Sequence, residues 1–155
     1  MGRILGIDFG TRRIGSAVSD PRGQIATPLE VYQRRDPSQD ARYFLRLVEE
    51  NEVDRIVVGL PVHLGGGEGS SAALARTFGA WLGELTGRPV VYYDERFTTS
   101  DAEESLIAAG LKRSQRKGLR DMLAARILLQ NYLDDGCPER PAEARPLDDP
   151  GRGPT

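Results

Sequence analysis

Three carboxylates in this sequence sit where they could do chemistry together: Asp8, Glu95 and Asp121. Asp8 closes the apolar run Ile4-Leu5-Gly6-Ile7, which reads as a strand, and Glu95 follows a second apolar run, Pro89 to Tyr93. Asp121 falls in the first turns of the last helix that the sequence pattern supports. An ionised carboxylate against an apolar strand costs on the order of several kcal/mol unless it is paired or bound to a cation. Three unpaired acids brought together would repel and raise one another's pKa values, and a divalent cation removes that cost. Oxygen ligands, with one histidine and one cysteine in the whole chain, favour Mg²⁺ or Mn²⁺ over Zn²⁺. Such a site with room for two ions suits phosphodiester hydrolysis, one ion activating water and the other stabilising the leaving oxygen. Simpler roles stay open at this point. Asp8 could bond the N–H groups of Gly10 and Thr11 in a turn, Glu95 could pair with Arg96 or Arg120, and Asp121 could face the helix dipole.

Cationic residues flank all three acids. Thr11, Arg12 and Arg13 follow Asp8, Arg96 follows Glu95, and Lys112, Arg113, Arg116 and Lys117 precede Asp121. These are the positions where the phosphates of a nucleic acid would have to lie, although a solvated charge run has the same composition. Tyr92, Tyr93 and Phe97 are as well suited to the core as to base stacking.

The elements that must position these residues can be followed along the chain. Ile4 to Asp8 and Ile14 to Ser19 read as two strands joined tightly enough to be antiparallel. Asp20-Pro21-Arg22-Gly23 is a turn, and a short third strand, Gln24 to Thr27, is expected to end before Pro28. Asp36-Pro37 starts a helix with an N-cap aspartate, and Ala41, Phe44, Leu45 and Val48 form its apolar stripe. Arg55 to Gly59 is a buried strand, stopped by Leu60-Pro61, and the glycine-rich loop Val62 to Gly69 follows. Ser70 or Ser71 caps a second helix with Leu74, Phe78, Trp81, Leu82 and Leu85 inward, and Gly87 occupies the left-handed C-terminal position. After the strand at Pro89, Ser100-Asp101-Ala102-Glu103 has the form of a capping box for a helix that stops at Gly110. A basic linker, Leu111 to Gly118, leads to a last helix from about Lys117 to Asp134, burying Met122, Ile127, Leu129 and Leu133. This order predicts an α/β fold with a mixed five-stranded sheet and helices on both faces. Sites in open α/β sheets lie at the carboxyl ends of strands.

Composition narrows the class. The 155 residues suit one domain, and the formal net charge of -2 does not advertise nucleic-acid binding. The charge is uneven, however. Six acids and three bases lie in residues 134–155, which leaves residues 1–133 at net +1, so a nucleic-acid site must be a local patch. Two regions are expected: a folded domain over 1–135, and a disordered Pro/Gly-rich tail over 136–155. Cys137 is expected to be a surface thiol. No apolar run approaches the length of a membrane span and the N-terminus has no leader-like core, so a cytoplasmic protein without membrane partners is expected.

Four motifs, in order, then narrow the reading. Asp8-Phe9-Gly10-Thr11-Arg12-Arg13-Ile14-Gly15, Ile56-Val57-Val58-Gly59-Leu60-Pro61, Asp94-Glu95-Arg96-Phe97-Thr98-Thr99 and Lys117-Gly118-Leu119-Arg120-Asp121 together resemble the YqgF/RuvX family of pre-16S rRNA nuclease and Holliday-junction-resolvase-like proteins. The resemblance spans roughly residues 3 to 134. It implies an RNase H-like fold with sheet order 3-2-1-4-5 and metal-dependent cleavage of nucleic acid, with the motif acids on Asp8, Glu95 and Asp121. It also implies a cytoplasmic role in maturing the 5′ end of small-subunit ribosomal RNA. The expected partners are structured or single-stranded RNA or branched DNA, a pre-ribosomal particle, and for a two-fold junction a second copy of the chain. One departure stands out. Where the family runs Leu-Asn-Met-Asp-Gly-Thr-Glu after Gly-Leu-Pro, this chain has Val62-His63-Leu64-Gly65-Gly66-Gly67-Glu68. A fourth acidic ligand is thereby lost unless Glu68 replaces it, and His63 becomes either a proton carrier near the phosphate or a solvated loop residue.

Two other classes share parts of the pattern. Asp-Phe-Gly-Thr before a small-residue strand also resembles the phosphate-binding turn of sugar kinases and actin-like ATPases, which need two such domains. A non-catalytic RNA- or ribosome-binding module could keep the fold alone.

Overall fold

The structure, a computed structural model, describes residues 2–61, 70–94, 110 and 112–138, with backbone alone for 113–118, 120 and 121. The expected loop with His63, Gly65 and Glu68, the capping box at Ser100 and most of the tail lie outside the described residues.

Five strands form one sheet: β1 (Arg3–Asp8), β2 (Arg13–Ser19), β3 (Ala26–Gln33), β4 (Val53–Leu60) and β5 (Val90–Asp94). Three helices are described: α1 (Pro37–Glu50), α2 (Ser70–Thr86) and α3 (Arg113–Asp134). The sheet order is β3-β2-β1-β4-β5. The first three strands are an antiparallel meander, and β1, β4 and β5 run parallel. Mixed pairing, strand order and helices on both faces are as the sequence and its family resemblance predict.

Local signals act as expected at several ends. Asp36 Oδ1 accepts from the Gln39 amide at 2.8 Å, with Pro37 opening α1. Gly87, at φ +70°, closes α2 with a 2.9 Å bond from its amide to the Gly83 carbonyl. Asp20 Oδ1 accepts from the Gln24 and Ile25 amides at 2.7 and 2.8 Å, and these bonds hold its carboxyl below the usual range.

Four expectations need correction. The third strand does not end before Pro28 but runs from Ala26 to Gln33. β3 is an edge strand, where a missing N–H is tolerated, and its register with β2 slips between Ser16–Glu30 and Ala17–Pro28, a bulge at the proline. The stripe of α1 is Asp40, Phe44, Leu47 and Val48, with Leu45 exposed. Leu74 of α2 is likewise exposed, the buried side of that helix being Ala72, Ala75, Phe78, Gly79 and Leu82. The last helix begins at Arg113, so most of the supposed linker is its first turns. Its buried residues are Ala124, Ala125, Leu128, Leu129, Tyr132 and Leu133, while Met122 and Ile127 are only half-buried.

Cys137 is half-buried rather than a surface thiol. Its amide donates to the Tyr132 carbonyl at 3.0 Å, and that of Gly136 to the Leu133 carbonyl at 3.1 Å. With Gly136 at φ +87°, this is a Schellman end to α3, and Cys137 makes the apolar contact that accompanies it.

Two cores result. Leu5, Ile7, Ile14, Phe44, Ile56, Phe78 and Leu82 pack between the sheet and α1/α2. Ala17, Ala26, Val57, Val91, Ala125, Leu129 and Tyr132 pack between the sheet and α3.

Candidate functional site

Because β1, β4 and β5 are parallel, their carboxyl ends reach one edge of the sheet: Asp8, Leu60 and Asp94. β1 is the central strand. Its alternation puts Leu5 and Ile7 in the α1/α2 core, and Ile4, Gly6 and Asp8 on the α3 face. Asp8 is half-buried there. Its cross-strand partner on β2 is Gly15, and one step beyond the Ile7–Val58 pair on β4 lies Gly59. Asp8 therefore stands between two residues without side chains, on the face that α3 covers. A carboxylate at a strand end, flanked by glycines, is of the chemistry that suits a hard, oxygen-seeking cation.

Gly6 shows how closely α3 approaches. A Cβ at Gly6 would lie 2.8 Å from the Leu129 Cβ. The next anchors are Gln130, whose Oε1 accepts from the Ala26 amide at 2.9 Å and whose Nε2 donates to the Gln24 carbonyl at 2.9 Å. The Tyr132 hydroxyl accepts from Arg55 at 3.0 Å. The Tyr132 contact falls beside the start of β1, since Arg55 pairs with Ile4, and the Leu129 contact falls at its middle, at Gly6. Asp121 precedes Leu129 by eight residues, about 12 Å of helix, on the stripe that continues through Ala125.

On β5, Tyr93 lies on the α3 face, its ring edge-on to Tyr132 at 5.5 Å and its hydroxyl 3.0 Å from an Asp135 oxygen. Burial first, and then that carboxylate, push the Tyr93 pKa up to about 12. Asp94 pairs with Leu60 and is exposed. Glu95 and Arg96, next in the chain, lie outside the described residues.

The structure thus describes one full member of the acid trio, Asp8, and the backbone of Asp121. Among the described residues no group of three or more metal-binding side chains occurs. Of the expected phosphate contacts, Thr11 and Arg12 are exposed in the β1–β2 turn, Arg13 is half-buried at the start of β2, and Lys112 is exposed just before α3. Arg113, Arg116 and Lys117 fall in the first turns of α3, at spacings that share one side of a helix.

Two arginines at this edge were not singled out from the sequence. The extension of β3 carries Arg34 and Arg35 beside the hairpin, and the Arg34 amide donates to the Arg12 carbonyl at 2.9 Å. Ending the strand at Pro28 hid them, because the same pair then reads as linker. The signal available was the alternation Leu29, Val31 beyond the proline. Arg34 Nε lies 3.6 Å from the buried Asp40, whose other oxygen accepts from the Tyr32 hydroxyl at 2.6 Å and the Arg35 amide at 2.8 Å. Burial and that Asp40 bond push the Tyr32 pKa up to about 12. Tyr43, stacked on Tyr32 with ring centres 3.8 Å apart, is pushed up further by burial and its bond to Glu30.

The fold is similar to those of known resolvases. RuvC of Thermus thermophilus, in complex with a Holliday junction substrate, aligns with a TM-score of 0.55 at 20% identity, covering 90% of this chain and 99% of that one. The Fowlpox virus resolvase in its junction complex aligns with a TM-score of 0.55 at 10% identity, covering 86% and 97%. At such identities the likeness is one of fold, and the fold is RNase H-like. The chain belongs to the RuvX family, whose model, described as Holliday junction resolvase, matches residues 2–135. Among relatives named "Putative pre-16S rRNA nuclease", that of Rhodopirellula baltica is 41% identical over 133 residues, covering 86% of this chain and 77% of its own. That of Mycobacteroides abscessus is 47% identical over 136 residues, covering 86% and 81%.

Proposed function

We propose that this protein is a divalent-metal-dependent nuclease that processes the 5′ end of pre-16S rRNA. The observation that carries the reading is the place of Asp8: the carboxyl end of the central strand, on the α3 face, between Gly15 and Gly59, in a chain whose relatives carry a nuclease name. The fold supports the other two acids. Glu95 is the residue after Asp94, which ends β5 at the same sheet edge as Asp8. In α3, the anchors at residues 129–132 hold the sheet beside the start and middle of β1, and the helix has two further turns upstream to reach the Asp8 edge.

In this reading Asp8, Glu95 and Asp121 hold Mg²⁺ or Mn²⁺ and are the catalytic residues. The metal supplies an activated water and charge stabilisation at the leaving oxygen. The protein's own contribution is orientation. Thr11, Arg12, Arg13, Arg96, Lys112, Arg113, Arg116 and Lys117 bind backbone phosphates on either side of the acids. The nuclease domain occupies residues 1–135, and residues 136–155 form an appended tail. Among the described residues no helix is long and apolar enough to cross a membrane. The proposed site of action is the cytoplasm, on RNA or a pre-ribosomal particle.

The family description favours one second reading, resolution of four-way DNA junctions. A two-fold junction calls for a homodimer, whereas trimming an RNA end can be done by a monomer. The test is a panel of 5′-extended ribosomal RNA precursor, single-stranded RNA and four-way DNA junction, with Mg²⁺, Mn²⁺ or EDTA, and sedimentation of the protein alongside. Cutting of the precursor that stops with EDTA and in Asp8→Asn, Glu95→Gln and Asp121→Asn is expected. Cutting confined to the junction by a dimer would replace the first reading with the second. No metal binding at millimolar levels would remove both and leave a binding module.

A further inference from the structure

We infer that Arg34, on the opposite face of the sheet from the site, is a positioning residue that holds the turn after Asp8 and with it the Asp8 carboxylate. The inference rests on the metal-site reading above. Phe9, the residue after Asp8, turns to the α1/α2 side, where its ring lies 5.0 Å from that of Phe78. The Arg34 guanidinium carbon stands 5.4 Å from the Phe9 ring centre and 5.6 Å from that of Phe78. Guanidinium over an aromatic face is an attractive geometry. The same residue's amide donates to the carbonyl of Arg12 at the other end of the turn. One residue therefore grips both sides of the segment 8–12, through the side chain at Phe9 and the backbone at Arg12.

The grip is itself held. Arg34 Nε is buried and makes no hydrogen bond in the structure, and the anion nearest to it is Asp40 at 3.6 Å. Asp40 is fixed by Tyr32 and the Arg35 amide and sits in the first turn of α1, where the helix dipole favours its charge. A half-buried cation, its Nε shielded from water, lies here against two rings and one carboxylate. What the cation adds is a fixed position for Phe9.

The sign of the effect separates positioning from bulk electrostatics. Removing a positive charge near a metal site should by charge alone tighten cation binding. Loss of a positioning contact should weaken it. Mn²⁺ binding to the full chain, followed by calorimetry, is therefore the measurement, with thermal midpoints recorded in parallel. Arg34→Met is expected to weaken Mn²⁺ binding about tenfold, the low end for a side chain that orients a metal ligand, and Arg34→Lys to recover most of that loss. Arg88→Met is the comparison: Arg88 clamps the far end of the sheet, through the Val53 carbonyl at 2.7 Å and Glu49 at 3.7 Å, and should lower the midpoint without moving Mn²⁺ affinity. If Arg34→Met binds Mn²⁺ as tightly as wild type or more tightly, the inference is overturned. Should that variant fail to fold, Phe9→Leu removes the ring with no change of charge, and its unaltered Mn²⁺ affinity would overturn the inference equally. Asp8→Asn is run with them. Wild-type-like Mn²⁺ binding in Asp8→Asn, or none in wild type, sinks the site reading and this inference together, whereas loss in Asp8→Asn alone sinks only the role of Arg34.

Discussion

On the α1/α2 face of the sheet the buried side chains are large. Phe44, Phe78 and Leu82 are nearly inaccessible, and Phe9, Tyr32, Tyr43 and Trp81 pack around them. On the α3 face the sheet offers Ala17, Ala26, Val57 and Val91, with Ile4 and Tyr93 beside them, and three glycines, 6, 15 and 59, near Asp8. The first face removes much apolar area from water and should dominate stability. The second admits α3 at close range and sets a carboxylate between two glycines at the carboxyl edge of the sheet. The faces divide the labour, and they are linked at Phe9, where the aromatic side meets the turn that follows Asp8.

The sharpest way to break this comparison is Asp8→Asn. Cleavage should fall below detection while the thermal midpoint holds, because the substitution touches no part of the aromatic core. A parallel loss of fold would mean that Asp8 serves structure. Next in size is Phe44→Ala, in contact range of Phe78, Trp81 and both tyrosines. It should cost about 3–5 kcal/mol in denaturant unfolding, with Mn²⁺ affinity of the folded fraction unchanged. A cost under about 1 kcal/mol would deny that face its leading role.

Gly6→Ala sharpens the second face. The added Cβ would sit 2.8 Å from the Leu129 Cβ, and neither atom can rotate away, so α3 must shift. A loss of about 1–3 kcal/mol is expected, together with weaker metal binding. Leu129→Ala should not rescue it, since the Cβ in conflict remains. Rescue by Leu129→Ala would show that the distal part of the leucine side chain, not the backbone approach, is the constraint.

The smallest effect concerns pH. Tyr32, raised to about 12 by burial and its Asp40 bond, is favoured in its neutral form by the folded state. Its contribution is fully present below the unfolded value near 10 and is lost as pH rises through about 12. Stability should fall across that window, and the fall should be shallower in Tyr32→Phe. Identical pH profiles would remove Tyr32 from the Asp40 network.

Much of this architecture was legible without coordinates because it is written in short-range chemistry. The Asp36-Pro37 start, the Gly87 stop, the Asp20 turn and the alternation of β1 each depend on neighbours within a few residues. The errors share a cause. Pro28 breaks a central strand but not an edge strand at a bulge, and nothing local says that β3 is an edge. Leu45 and Leu74 satisfy a helical period, yet which side of a helix faces the sheet is decided by what the sheet offers.

The sequence by itself determined the meander, the βα succession and the three acids with cations beside them, since residue type and spacing are enough for these. Only the tertiary structure decided that Asp8 shares the α3 face with Gly6, Gly15 and Gly59. The pairing of the β1–β2 hairpin with β4, distant in the chain, sets that face, and one residue of slip would turn the carboxylate into the aromatic core. It also decided that Arg34 comes to rest behind Phe9, because that contact joins the end of an edge strand to the end of the central one, and no local pattern encodes it.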